Sequence, residues 1–535
     1  MRILLILLFL LSLFSCHRPS PTGNIFRYNE SAGVSTLDPA FARSQAVMWP
    51  VTQLYSTLVE VDDSMRIKPL LAKSWKLSTD KLSITFQLRT DVFFHDDPAF
   101  SGGKGRRLQA DDVVYSFRRL MQPALASPGA WVFHSRVDSL MPFVAINDSV
   151  FQLRLSKPFI PMLGILSMPY CSIIPHEAPE KYGSDFRKHP VGTGPFQMKV
   201  WQENQALILK KNPGYFEKDE TGNRLPYLEG VMISFHPAKS TEFMEFRQNR
   251  LDMINDLDPS YRDAILTKKG KLRSAWEGKL QLITCPYLNT EYLGILMDTS
   301  NALIQHSPLR SVNFRKALNH SIDRERLVLY MRNSIGYPAV HGFVPPGMFS
   351  KEKGINGYTF DTSLARKYLN KSDYRAGFSP PVKLYSVPAY AQIASYLAAE
   401  WEKMGIAVEA EIVPKSRLLD LTSKSGVCFF RGSWIADYPD PENYFSVFYS
   451  DNPAPPNYTR FRDPGYDSLY SLTVMEEMDA VRNRHYMDME KIIADKAPVI
   501  PLWYDMVAQL LQPAVMGYRA NSRNMLDLRR VRKSY

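Results

Sequence analysis

A chain of 535 residues that is 45% hydrophobic and 22% charged has the composition of an ordinary globular protein, long enough for several domains and not disordered. Its formal charge of +11 falls by one once Arg2 leaves with the leader described below, and basic residues gather at Arg519, Arg523, Arg529, Arg530, Arg532 and Lys533. No nucleic-acid-binding module accompanies that charge, so the tail reads as a solvated face or as a weak attraction to anionic lipid.

Arg2 and the apolar run 3–14 form a secretory leader, too short to cross a bilayer core of ~30 Å as a helix. It ends Leu13-Phe14-Ser15-Cys16, which resembles the lipobox of bacterial lipoproteins and makes Cys16 the acylated first residue of the mature chain; the alternative is an ordinary leader with a chance cysteine. Residues 17–24, rich in Pro and Ser, then form a tether. Leu82, Ile84, Phe86 and Leu88 alternate with polar neighbours, as do Phe151, Leu153 and Leu155, and both read as half-buried strands. Between them, Val113, Val114, Phe117, Leu120 and Met121 follow helical spacing, with Asp111 and Asp112 first and Arg118 and Arg119 last, matching the helix dipole. Residues 190–216 read as a hairpin: Gly192 and Gly194 give backbone freedom beside Pro195, and two apolar runs follow before the Asn212-Pro213-Gly214 turn. That stretch lacks the Gly-Lys-Ser/Thr ending and the following helix of a phosphate loop. Ile393, Leu397, Trp401 and Met404 make a helical stripe that stops at Gly405, and residues 406–412 alternate as the next strand. Cys171, Cys285 and Cys428 remain after Cys16, and three thiols cannot all pair internally, so buried free thiols are expected. His176-Glu177 lacks the second His of a zinc helix, and no Gly-x-Ser-x-Gly elbow occurs, so neither a metal nor a cofactor is expected.

A set of short motifs runs through the chain in order. Thr36-Leu37-Asp38-Pro39 is followed by Leu54-Tyr55-Ser56-Thr57-Leu58-Val59-Glu60, Pro69-Leu70-Leu71-Ala72-Lys73-Ser74-Trp75, Phe94-His95-Asp96-Asp97 and Ala110-Asp111-Asp112-Val113-Val114-Tyr115-Ser116-Phe117. Beyond the hairpin come Phe314-Arg315-Lys316-Ala317-Leu318-Asn319, Ser321-Ile322-Asp323-Arg324-Glu325 and Ile435-Ala436-Asp437-Tyr438-Pro439-Asp440-Pro441. Together with the hairpin, this series closely resembles the family 5 extracellular solute-binding proteins, the peptide and nickel receptors of ABC importers. The resemblance implies an α/β two-lobed periplasmic-binding-protein clamshell (type II, cluster C-like). Its first-lobe core would be residues 25–51, 188–284 and 493–535, with an extra subdomain inserted at 52–187 and a second lobe at 285–492. Hinge strands would lie near 282–287 and 492–501, with ligand between the lobes. The partners implied are a short peptide, the permease subunits and a membrane holding the lipid anchor. The protein would be a monomer in the bacterial envelope, facing the periplasm or the exterior.

The resemblance also assigns roles. Asp437 occupies the position that accepts a bound peptide's N-terminal ammonium; the residues alone favour a turn cap beside Pro439 and Pro441, and the resemblance favours ligand contact. Trp434 matches a pocket-wall tryptophan, and Arg431 matches an arginine facing a ligand's acidic or C-terminal groups, or else it faces water. Tyr438, Tyr444, Trp503 and Tyr504 line side-chain pockets or belong to the core. Backbone contacts to the ligand would come from Trp434, Ile435, Ala436 and Asp437 and, across the cleft, from the loop 42–46 with Gln45.

This chain also departs from the pattern. A disulfide of some oligopeptide-binding members falls here on Asn289 and Ile435, so that bond is absent, and Cys285 and Cys428 are out of register. Arg43 stands where such members carry an acid, and the loop 97–107 with Gly102-Gly103-Lys104-Gly105 is longer than usual, reading as a flexible basic loop. The alternatives are a same-fold receptor for a nickel chelate, an opine or an oligosaccharide, an envelope hydrolase, and a chaperone or sensor.

Overall fold

The computed structural model describes residues 24–349, 357–377 and 379–534. Cys16 and the leader lie outside the described residues, and among the described residues no helix is long and apolar enough to cross a membrane.

β1 (Ile25–Asn29) and α1 (Gln45–Leu54) open the first lobe, after which the chain leaves it for an insertion. Strands β2 (Ala72–Leu77) and β3 (Ser83–Leu88) come first, then helix α2 (Ala110–Met121), then β4 (Phe143–Asn147) and β5 (Val150–Arg154). The strands form one antiparallel sheet in the order β2-β3-β5-β4. Period-two alternation puts Phe86 and Phe151 on its inner face, and Phe117 of the helix meets Phe151 and Phe143 edge-on at 5.7 and 5.5 Å.

The helix ends differ from the dipole reading in one respect. Arg119 does not face solvent: its two Nη atoms donate to the Asp38 carboxylate at 3.0 and 2.6 Å in a buried pair that ties the insertion to the turn after β1. Removing one partner of such a pair costs about 3–5 kcal/mol because the other charge stays buried. The basic residues of the loop 97–107 are likewise engaged. Lys104 pairs with Asp96, Arg106 with both Asp112 and Glu177, and Arg107 with Asp148, so the loop is tied down at three points.

The hairpin forms as β6 (Phe196–Gln202) and β7 (Ala206–Lys211), turning at Asn204 with a φ of 61°. The glycines ahead of it serve close approach rather than turn freedom. A Cβ on Gly192 would lie 2.2 Å from the Leu54 carbonyl oxygen, and one on Gly194 2.4 Å from the Leu54 carbonyl carbon, because the end of α1 crosses there. His95 fastens the same crossing, its N–H donating to Gly192 O at 2.8 Å and its Nε2 lying 3.0 Å from Gly194 O. Burial pushes the imidazole down to about 4, so it is neutral at envelope pH. The short motifs thus bind one another.

β8 (Gly230–Ser234) and β9 (Met253–Asn255) complete the first-lobe strands. β10 (Gln281–Ile295) then crosses to the second lobe, where α3 (Val312–His320), α4 (Arg324–Arg332), β11 (Val382–Ser386), α5 (Ala391–Glu402), β12 (Val408–Ile412), β13 (Phe429–Ile435), α6 (Pro464–Thr473) and α7 (Asp479–Lys496) follow. β14 (Val499–Leu511) returns. The sheet order is β12-β11-β13-β10-β14-β9-β1-β8-β7-β6, so β10 and β14 lie between the strands of the two lobes. Residues 281–286 of β10 pair with 506–511 of β14 beside β9, whereas 289–295 pair with β13, and the β10–β14 register slips between Pro286 and Thr290. We therefore propose that the two crossings lie near 286–289 and 504–506. The second is a few residues beyond the 492–501 stretch expected from the resemblance, because 499–504 stay paired with the second-lobe half of β10.

Arg315 and Arg324 of the paired-helix motifs are buried in the second lobe. Arg315 donates to the carbonyls of Leu309, Arg310, Lys496 and Ala497, and Arg324 to those of Pro501, Asn319 and Tyr358, so helix ends and β14 are pinned together. The basic tail is engaged as well: Arg529 bridges Glu60, Glu217 and Asp527, Lys533 pairs with Asp252, and Arg532 lies over Tyr227.

Candidate functional site

Parallel strands approach the crossings from both sides. In the first lobe β1 pairs in parallel with β8 and β9; in the second, β11 pairs in parallel with β12 and β13. β9 ends at Asn255 opposite Gln509, and β13 ends at Ile435 opposite Asn289, so the C-terminal ends of strands from both lobes face the crossing. Ligands of open α/β sheets sit at such ends. The Asn289–Ile435 pairing sets face to face the two positions matched to the missing disulfide, and Cys171, Cys285 and Cys428 are all free.

At the second-lobe rim the Asp437 carboxylate is reached by water, yet protein encloses it, and burial pushes its pKa up to about 6. The side chain of Asn443 opposes that shift through a hydrogen bond. Asn443 also accepts the Trp434 Nε1–H, at 2.9 Å on Oδ1 and 3.0 Å on its carbonyl, so one buried amide orients both candidate contacts. Ile435 is exposed, while Ala436 is buried with its N–H on Leu288 O at 2.9 Å. β11 meets β13 only at Tyr385 opposite Phe430, so beyond Phe430 strand β13 has a strand partner on one side alone among the described residues.

Besides Trp434, the candidate side chains Arg431, Tyr438, Tyr504 and Gln45 are engaged within the protein. Arg431 forms a fork on Glu291, Nε to Oε2 at 3.0 Å and Nη2 to both oxygens at 2.6 Å, with its guanidinium 3.9 Å over the Tyr390 ring. Tyr438 is buried and donates to Glu442. Tyr504 is buried with its hydroxyl on Gly342 O at 2.7 Å. Tyr444 and Trp503 are buried too, so these aromatics belong to the core. Across the cleft, Gln45 donates to Asn524 O and accepts from Asn255, each at 3.3 Å, within an amide network that continues through Gln509 to Tyr518. Arg43 is exposed.

Sequence reasoning did not find what holds the Asp437 turn. Asp440 accepts from Arg482 at 2.7 Å and from Tyr486 at 2.9 Å, and Glu442 accepts from Tyr438 and Tyr470. The available signal was three acids within six residues. Asp256, exposed just past β9, and Tyr287, part-buried on β10, were missed as well. The Tyr287 hydroxyl is held in its neutral form by burial and by Asp505, Asp437, Asp256 and Glu291 around it. A separate cavity of about 890 Å³ opens in the first lobe between residues 52–70, 215–227 and 517–532, and none of the candidate residues lines it.

Comparison with known proteins accords with this architecture. Residues 66–456 match the family described as bacterial extracellular solute-binding proteins, family 5 middle. The chain is 28% identical to Heme-binding protein A of Haemophilus influenzae, over 87% of this chain and 84% of that protein. It is 25% identical to the dipeptide-binding protein of Escherichia coli, over 87% and 86%. Among solved structures, the periplasmic binding protein DppA of Helicobacter pylori in complex with peptide STSA superposes with a TM-score of 0.78 at 23% identity, covering 96% of this chain and 98% of that one. A dipeptide-binding protein from Pseudoalteromonas in complex with Met-Leu gives 0.77 at 20%, covering 95% and 100%. The chain belongs to the bacterial extracellular solute-binding proteins of family 5.

Proposed function

We propose that this protein is the lipid-anchored substrate-binding component of an ABC importer, capturing short peptides between its lobes by their N-terminal ammonium and handing them to the permease. The observation that carries this reading is Asp437, a carboxylate at the end of β13 that is enclosed by protein, open to water and without a cationic partner among the described residues. An ammonium in that place forms a charge-assisted hydrogen bond. The free side of β13 beyond Phe430 supplies N–H and C=O groups for a ligand main chain, with Ile435 and Trp434 beside it. The relatives named for a dipeptide, for STSA and for Met-Leu support a peptide, while Heme-binding protein A supports a same-fold receptor for another solute. Cys16 is the proposed lipid site, and Cys16→Ala releases the protein from membranes; a variant that stays membrane-bound overturns the anchor. The protein acts as a monomeric receptor in the envelope rather than as an enzyme.

The test is calorimetry on detergent-solubilised protein, stripped of co-purifying ligand by unfolding and refolding, against a pool of tri- to pentapeptides and the same pool N-acetylated. Binding of the free pool alone establishes a receptor that reads the ammonium. Silence with both overturns the peptide reading in favour of another solute.

A further inference from the structure

Resting on the peptide reading above, we propose that Glu291 sets ligand specificity by occupying Arg431, so that the cleft does not read a ligand's C-terminal carboxylate and favours peptides whose second charge is positive. Glu291 lies on β10 opposite Ser433, two residues along β13 from Arg431, and from that diagonal its carboxylate meets the guanidinium fork edge to edge. The pair is sealed: the Glu291 side chain is 2% exposed and that of Arg431 14%, with Tyr390 stacked on the guanidinium and its hydroxyl 3.3 Å from Glu291 Oε1. A ligand carboxylate reaching Arg431 must displace a better-placed carboxylate and leave Glu291 as an unpaired buried charge.

The neighbouring arginine is neutralised in the same way. Arg332 pairs with Asp505 beneath the Trp503 ring, and Asn289 Nδ2 joins the two pairs by donating to Glu291 at 3.3 Å and to Asp505 at 2.8 Å. Among the described residues, Asp437 from one lobe, Asp256 from the other, Arg43 and Arg262 have no ion pair near the strand ends. Tyr170 feels the charges of both Asp437 and Arg43, and Tyr287 those of both Asp437 and Asp256. Arg262 and Arg332 are cations near Asp256, but Arg262 donates to the Met331 carbonyl and Arg332 is paired with Asp505, so neither bonds Asp256. A ligand whose ammonium sits on Asp437 and whose chain extends past Tyr287 therefore meets the exposed Asp256 carboxylate there, and the one nearby cation without an ion pair among the described residues is the part-buried Arg262, held on the Met331 carbonyl.

The probes are Ala-Ala-Ala, its C-terminal amide, Ala-Lys-Ala and Ala-Glu-Ala, measured by calorimetry on the full-length protein and on Glu291→Gln. In the wild type the acid and the amide bind within about threefold of each other and the lysine peptide binds at least tenfold more tightly than the glutamate peptide. In Glu291→Gln the freed Arg431 creates a preference for the free acid of tenfold or more, which a merely structural role for Glu291 would not produce. A wild-type preference of tenfold for the free acid, or equal binding of the lysine and glutamate peptides, overturns the inference and leaves the peptide reading standing. Absence of binding by all four probes overturns both. The wild-type arm needs no variant, so it decides the matter even if Glu291→Gln does not fold.

Discussion

The two ends of one short loop treat their carboxylates in opposite ways. Asp440 is buried, bonded to Arg482 and Tyr486, and joins α7 to the turn; three residues earlier, Asp437 has a single amide neighbour and open water. Arg431 belongs with Asp440, because Glu291 completes it. A charge completed by its own lobe builds the protein, and we propose that a charge left incomplete where strands from both lobes end is placed for a ligand. The largest effect that breaks the comparison is therefore on stability and comes from the buried side: Asp440→Ala strands Arg482 and lowers stability by about 3–5 kcal/mol, read as a fall in Tm of several degrees. An unchanged Tm would mean that Arg482 finds water and that the two carboxylates are alike.

Asp437→Ala acts on the other quantity. Removing one partner of an enclosed ammonium–carboxylate pair costs about 2–5 kcal/mol, so peptide affinity falls on the order of a hundredfold while Tm does not fall. Calorimetry and a thermal melt on the same sample separate the two, and an unchanged affinity would return Asp437 to the role of a turn cap.

Much of this was legible and some was not, for physical reasons. Strands 83–88 and 150–154, the 196–211 hairpin and the 391–402 helix follow from periodicity, because side-chain alternation and helical spacing are local properties. The work of Gly192 and Gly194 was not legible, since it depends on the Leu54 carbonyl group reaching them from another segment. The same holds for Arg431. Its residue type suits a ligand carboxylate, but its acceptor is 140 positions away on an adjacent strand, and nothing in the local sequence says that the fork is already filled. Tyr438 and Tyr504 show that aromatic residues beside a site motif cannot be divided into wall and core from composition, because burial is decided by which helices pack over them. Asp437 was a candidate only through the resemblance, and its hydrogen bond to Asn443 was not legible at all, because that contact depends on how the turn folds back.

The smallest effect sharpens the comparison through pH. The pKa of Asp437 stands at about 6 in the folded, unliganded protein, above the ~4 of an unfolded chain. Between those values the folded state keeps a proton that the unfolded state has lost, so this group favours folding at low pH and that contribution is lost as pH rises through 6. Asp437→Asn should accordingly raise Tm at pH 7.5 and leave it unchanged at pH 4, the reverse of what loss of a stabilising carboxylate does. Ammonium binding requires the ionised form, so wild-type peptide affinity should fall about tenfold from pH 7 to pH 5, with about half a proton released on binding at pH 6 and nearly one at pH 5. Titration in two buffers of different ionisation enthalpy measures that proton directly. A pH-independent affinity together with an Asn variant that is less stable at pH 7.5 would show that Asp437, like Asp440, is completed by the protein itself.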